Sequence, residues 1–142
     1  MVEPLTKQAK QEIAQAIARA EAETSGEIRV HLKRRCGADT LSQAIKDFQK
    51  LGMHRTKDRS GVLIFIALES HAFAILGDRG IHEKVGTAFW NETRDIMEDY
   101  FKSGRLKEGI LAGVESAGRK LRAFFPRQAS DRDELSNTVT ED

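Results

Sequence analysis

Gly61-Val62-Leu63-Ile64-Phe65-Ile66-Ala67-Leu68, followed after Glu69-Ser70 by His71-Ala72-Phe73-Ala74-Ile75-Leu76-Gly77-Asp78-Arg79-Gly80-Ile81, decides how this chain folds. The first run is apolar from 62 to 68, the length of one strand, and the polar residues after it allow a tight return into a second strand. A buried hairpin of this kind ends in a charged glycine loop and aims Asp78 and Arg79 out of one end of a sheet. That end is where function is expected.

Working outward, residues 27–33 change side with every position: Ile28, Val30 and Leu32 on one face, Arg29, His31 and Lys33 on the other. This is a strand with one better-covered face, and His31 reads as an ordinary strand residue. Before it, Leu5, Ala9, Ile13, Ala16, Ile17 and Ala20 recur at helical spacing after Pro4, and the helix ends near Thr24-Ser25-Gly26. Between the strands, Asp39 or Thr40 caps a second helix that turns Leu41, Ala44, Ile45, Phe48 and Leu51 to the core and stops at Gly52. After the hairpin, Val85, Phe89, Trp90, Thr93, Ile96, Met97, Tyr100 and Phe101 trace a third helix, broken at Ser103-Gly104. A fourth carries Leu106, Ile110, Leu111, Val114, Ala117, Leu121 and Phe124, with Gly109 and Gly113 leaving room for close packing. Residues 4–126 thus make one domain, and the polar 127–142, with Asp131, Asp133, Glu134, Glu141 and Asp142, read as a disordered acidic tail.

The order helix, strand, helix, strand, strand, helix, helix specifies an α/β fold, a three-layer α/β/α sandwich around a small mixed sheet with a central hairpin. A helix between the first two strands makes them parallel through a right-handed crossover, and the short link makes the next pair antiparallel. The starts of strands one and two and the end of strand three then share one edge. Glu27, Asp58, Asp78 and Glu83 meet there, a set of hard oxygen donors that suits Ca²⁺ or Mg²⁺ better than zinc. The competing reading is that each carboxylate caps an element or pairs with Arg55, Lys57, Arg59 or Arg79. Arg79 and the Gly80 backbone form a candidate anion-binding turn.

With 23 basic and 22 acidic residues among 142, the formal charge is +1, and no chain-wide field attracts nucleic acid or an anionic membrane. No leader or membrane-spanning stretch is evident, so membrane insertion is not expected. Cys36 is the lone cysteine; it fits a reducing, cytoplasmic compartment, and its basic neighbours Lys33, Arg34 and Arg35 do not make it a nucleophile without a paired histidine. His82-Glu83-Lys84-Val85-Gly86 begins like a zinc-protease helix but has Gly86 where the second histidine belongs. Glu92, Asp95 and Asp99 form a solvated helix face.

Thr24-Ser25-Gly26-Glu27-Ile28-Arg29-Val30, the 48–52 helix end, Gly61-Val62-Leu63-Ile64, the 77–83 turn, and Tyr100-Phe101-Lys102-Ser103-Gly104 through Gly109-Ile110-Leu111-Ala112-Gly113-Val114 resemble the TPM domain family. The likeness runs in order over 4–126. It implies the same sandwich and a divalent-cation site, often for calcium, at the loop edge; acid phosphatase activity is attached to some plant members. The 77–83 turn is longer than the glycine-aromatic-glycine turn of membrane-associated members, and the chain resembles the compact, soluble branch. Two functions follow as expectations. One is a regulatory or protein-interaction module that binds Ca²⁺ or Mg²⁺ through Glu27, Asp58, Asp78 and Glu83. The alternative is a metal-assisted acid phosphatase acting on phosphate monoesters, with Arg79 on the phosphoryl group, although no catalytic nucleophile or base is identifiable.

Overall fold

The structure, a computed structural model, describes residues 5–37, 39–56, 59–127 and 139–141. Helix α1 spans Lys7–Glu21, begun by Thr6, whose hydroxyl accepts from the Ala9 amide at 3.0 Å. Strand β1 is Glu27–Lys33, and α2 is Thr40–Lys50, capped by Asp39 through the Ser42 amide. A 3₁₀ turn at Met53–Arg55 leads to β2, Gly61–Ala67, which returns as β3, Ala72–Gly77. Then come α3, Arg79–Val85, a 3₁₀ turn at Thr87–Trp90, α4, Asn91–Lys102, α5, Leu106–Phe124, and β4, Thr140–Glu141.

The sheet order is β3-β2-β1-β4, with β1 parallel to β2 and β2 antiparallel to β3. Period-two alternation divides the core. Ile28, Val30, Leu32, Val62, Ile64 and Ile66 meet Ile13 and Ile17 of α1, Met97 and Phe101 of α4, and Ile110, Val114 and Leu121 of α5. Leu63, Phe65, Ala67 and Ala74 meet Ala44, Phe48 and Met53 on the opposite side. The three-layer sandwich is therefore present, with β2 between its two hairpin and crossover neighbours and buried along its whole length.

Four details differ from the sequence reading. Leu41 and Ile45 of α2 are exposed, at 52% and 45%. The helix is turned so that Ala44, Asp47 and Phe48 face inward, because Asp47 is drawn under the sheet by polar residues of β1. Those residues are His31 and Lys33, and on the face of β1 expected to be the less covered one both Arg29 and His31 are buried. The single third helix is two helices: Gly86, with φ 80° and ψ −176°, ends α3, and the chain restarts after the 3₁₀ turn. Finally, Val139 rests on the core and Thr140–Glu141 pairs in parallel with His31 and Leu32, where a disordered tail was expected. Main-chain pairing by two residues carries no hydropathy signal. The rest of that tail, 128–138 and 142, lies outside the described residues.

Candidate functional site

The parallel crossover brings three chain segments to one edge, and main-chain hydrogen bonds fasten them. The Glu27 amide donates to the Ser60 carbonyl at 3.2 Å, that of Asp78 to Gly61 at 2.9 Å, and that of Gly80 to Arg59 at 2.9 Å. The rim expected from the topology thus exists, although Asp58 lies outside the described residues.

Asp78 is the centre of this rim. It is 5% exposed and ends β3 by capping α3, its Oδ1 accepting from the Arg79 amide at 2.7 Å. Arg59 closes the same carboxylate in a two-pronged pair, Nε to Oδ2 at 2.8 Å and Nη2 to Oδ1 at 2.9 Å. The hydrogen bonds to Asp78 hold the Arg59 guanidinium above the ordinary arginine range, and the charges of Asp78 and Glu83 reinforce this. Arg59 reaches that position from a left-handed backbone, φ 53°, which a non-glycine residue adopts only when its surroundings insist. Glu83 faces Arg79 at 3.6 Å one helical turn away, with both side chains about two-thirds exposed, a pair of small energetic weight.

Glu27 belongs to a second, inner cluster. It is 3% exposed and acts together with buried Glu21 on Arg29. Burial lowers the Arg29 guanidinium below its usual value, and the two glutamate charges oppose that shift. Glu21 Oε2 also accepts from the Ile28 amide at 2.7 Å, tying the end of α1 to β1. The three expected ligands among the described residues are therefore partitioned: Asp78 and Glu83 lie around Arg59 and Arg79, while Glu27 answers to Arg29. Among the described residues no three metal-ligating side chains converge. The donors are hard oxygens, the right kind for Ca²⁺ or Mg²⁺, but an ion would have to compete with Arg59 for the Asp78 carboxylate.

Sequence reasoning missed the cluster at the other end of β1. His31, 1% exposed, places Nδ1 2.8 Å from Thr140 Oγ1 and Nε2 3.9 Å from Asp47 Oδ2, while Lys33 Nζ lies 3.4 Å from the same oxygen. Asp47 also accepts from Gln43 at 3.1 Å. The available signal was Asp47 itself, an acid inside the apolar arc of α2. Cys36 is half-buried against the hydroxyls of Thr40 and Ser70. Depressions off the rim centre include a 460 Å³ groove between α1 and α5, another of 460 Å³ lined by Phe73, Asn91, Arg94, Asp95 and Glu98, and a 210 Å³ pocket beside Gly77, Ile81, His82 and Trp90.

These features match a known class of domain. The family model for the TPM domain matches residues 2–120, and the chain belongs to that family. The NMR structure of the BA42 protein from the psychrophilic bacterium Bizionia argentinensis is 42% identical, with 99% of this chain and 97% of that chain covered and a TM-score of 0.92. The N-terminal domain of a P. gingivalis protein, also solved by NMR, shares the fold at 18% identity and a TM-score of 0.70, covering 85% of this chain and 78% of that one. No curated protein matches the sequence. No helix among the described residues is long and apolar enough to cross a membrane.

Proposed function

We propose that this TPM domain is a cytoplasmic, non-catalytic binding module whose rim exchanges the Arg59 guanidinium for a divalent cation, Ca²⁺ or Mg²⁺, and thereby changes the surface offered to a protein partner. The observation that supports this reading is the buried Asp78 carboxylate held by a cation on a left-handed backbone. Asp78 and Glu83, the described carboxylates nearest Arg59, would hold the ion. Asp58 is proposed as a further ligand from the same loop; Glu27 is the least available, since Arg29 shares its charge. A bound ion would supply positive charge and draw several oxygen donors together.

Catalysis is disfavoured on chemical grounds. Hydrolysis needs a nucleophile or a base able to activate water, and Asp78, the buried acid of the rim, has its carboxylate engaged by three hydrogen-bond donors. The test is an NMR titration of the ¹⁵N-labelled chain with Ca²⁺ and Mg²⁺. Concerted shifts of Arg59, Gly61, Asp78, Gly80 and Glu83, with the Arg59 Nε–H signal moving as its bond breaks, are expected. Shifts confined to Glu83 or scattered over surface carboxylates would refute the cation reading. Metal-dependent hydrolysis of a phosphate monoester, lost in folded Asp78→Asn and Arg79→Ala variants, would establish the acid phosphatase reading in its place.

A further inference from the structure

Strand β3 ends the sheet, and among the described residues no strand lies on its outer side. The Asp78 amide donates to the Gly61 carbonyl. In the alternation of an antiparallel pair, Leu76, Ala74 and Ala72 therefore turn their main-chain groups to β2, while Gly77, Ile75 and Phe73 turn theirs outward. No hydrogen bond among the described residues takes up those outward groups. The strand, Ala-Phe-Ala-Ile-Leu-Gly, has none of the lysines, prolines or inward charges that ordinarily shield an edge. Its protection is recession instead, since Ala74 and Ile75 are only 8% and 9% exposed. The 210 Å³ pocket is lined by Ile75 and Gly77 of the strand, by Leu41 from the α2 layer and by Trp90 and Arg94 from the opposite layer. Toward the other end of the strand, a 460 Å³ depression runs from Phe73 to Asp95 and Glu98 of α4. The edge is thus a cleft between two helical layers.

We propose that the outer edge of β3 docks an extended segment of a partner protein, antiparallel to β3, with an apolar residue opposite Gly77 and a basic residue opposite Phe73. Side chains at those two positions point to the α4 face, as Phe73 and Ile75 do in packing on the main core cluster. Gly77 has no side chain of its own, so an aliphatic group there lies over main chain beside Trp90 and Ile81. Four residues along, Asp95, which has no ion pair among the described residues, and Glu98, which shares Lys102 at 3.0 Å, supply negative charge for a lysine or arginine. The side chains opposite Leu76 and Ala74 point to the other face, where exposed Leu41 and Ile45 of α2 favour apolar groups. A second copy of the chain fits this edge less well, because its own β3 is equally recessed and paired strands must approach to about 4.8 Å. The cleft supplies the partner side of the binding module proposed above, but its geometry holds without an ion.

The test is an NMR titration of the ¹⁵N-labelled full chain with the end-blocked synthetic peptide Ser-Leu-Val-Thr-Val-Lys-Ser, whose leucine, threonine and lysine fall opposite Gly77, Ile75 and Phe73. Divalent cations are left out, so the result is separate from that of the cation titration. Saturable binding with a dissociation constant of about 1 mM is expected, shifting the amides of Phe73, Ile75 and Gly77 and slowing their hydrogen exchange, as befits a few main-chain hydrogen bonds. Proline for the peptide's threonine removes a main-chain donor and should weaken binding about tenfold. Glutamate for its lysine should weaken binding severalfold, and Asp95→Lys, a change at an exposed position that leaves the fold intact, should reverse that preference. No binding, shifts away from β3, equal binding of the proline peptide, or an unchanged charge preference in Asp95→Lys would overturn the proposal. Shifts at the same amides that grow with protein concentration in the absence of peptide would overturn it too, by giving the edge to a second copy.

Discussion

Replacing Arg59 by Gln is expected to destabilise the domain more than replacing Asp78 by Asn, although both changes break the same ion pair. The asymmetry follows from burial: the Asp78 side chain is 4% exposed and that of Arg59 is 37% exposed. Without the guanidinium, the carboxylate keeps its bond from the Arg79 amide but stays out of water as an uncompensated charge. Stranding a buried charge in this way costs about 3 kcal/mol, the lower end of the range for breaking a buried pair. In Asp78→Asn the amide oxygen still caps α3, and the freed arginine turns its exposed end to solvent. The loss is then about 1–2 kcal/mol, since the exposed guanidinium is resolvated and only the net worth of its hydrogen bonds is lost. At roughly 3 °C per kcal/mol for a chain of this length, Tm should fall by about 9 °C in the first variant and about 3–6 °C in the second. Thermal unfolding followed by circular dichroism at neutral pH, with and without Ca²⁺, measures both. Ca²⁺ should restore much of the loss in Arg59→Gln and little in Asp78→Asn. If Asp78→Asn is the more damaging change, or Ca²⁺ raises both Tm values equally, the account of the rim is wrong.

Gly109→Ala and Gly113→Ala should differ sharply, even though both glycines seat α5 on α4. A methyl at Gly109 would lie 2.4 Å from Phe101 Cε1, on a ring set edge-on against Phe73, and should cost about 2 kcal/mol in chemical denaturation. At Gly113 the obstacle is the flexible Met97 thioether at 2.5 Å, so the helix-propensity gain of about 1 kcal/mol should nearly offset the strain. Asp39 gives a pH effect: bonds from the Ser42 hydroxyl and amide hold its carboxyl below the usual aspartate range. A folded-state value below the unfolded one stabilises above the unfolded value and is lost as pH falls through the folded one. The first turn of α2 should therefore fray in acid, seen as faster amide exchange near Ser42, and Asp39→Asn should remove the pH dependence. Arg29→Leu should destabilise by about 3 kcal/mol by leaving Glu21 and Glu27 without their shared cation, and adding Glu27→Gln should recover part of that loss in a double-mutant cycle.

The layers and strand directions were legible because they rest on periodicity. Isoleucine and valine at every second position of β1 and β2, with a helix between them, leave few topologies open, and the rim follows from that topology. Side-chain partnership at the rim was legible only as a choice between two readings. Asp78 does cap α3 and does pair with Arg59, as the competing reading held for a carboxylate of this kind, but the choice of Arg59 over Arg55 depends on one left-handed residue in the preceding loop. Nothing in a hydropathy pattern marks a positive φ at an arginine. The inward turn of Asp47 was hidden for a related reason: it depends on His31 and Lys33, which are distant in sequence and were read as lying on the less covered face of their strand. Strand β4 was the least legible, since among the described residues what holds it is main-chain pairing with β1 and single contacts of Thr140 to His31 and of Glu141 to Lys10 of α1.

Arg59 also bears on how strongly the rim could hold an ion. A preformed set of carboxylates binds a cation at full strength; a set already neutralised by a guanidinium binds it only in the fraction of molecules whose arginine has let go. Because three charge-assisted bonds surround Asp78, two of them from Arg59, that fraction should be on the order of one per cent, lowering the apparent affinity by about a hundredfold. Under the proposed cation binding the arginine would act as a threshold. It would keep Asp78 satisfied at low cation concentration and make the exchange a two-state event in which the Arg59 side chain is released as the ion enters. Affinity should rise toward that of the bare carboxylates in Arg59→Gln, while the loop loses the bonds that Arg59 makes in the ion-free state. A competing side chain of this kind would set the cation concentration at which the rim responds. That property is the physical reason for proposing the rim as a switch.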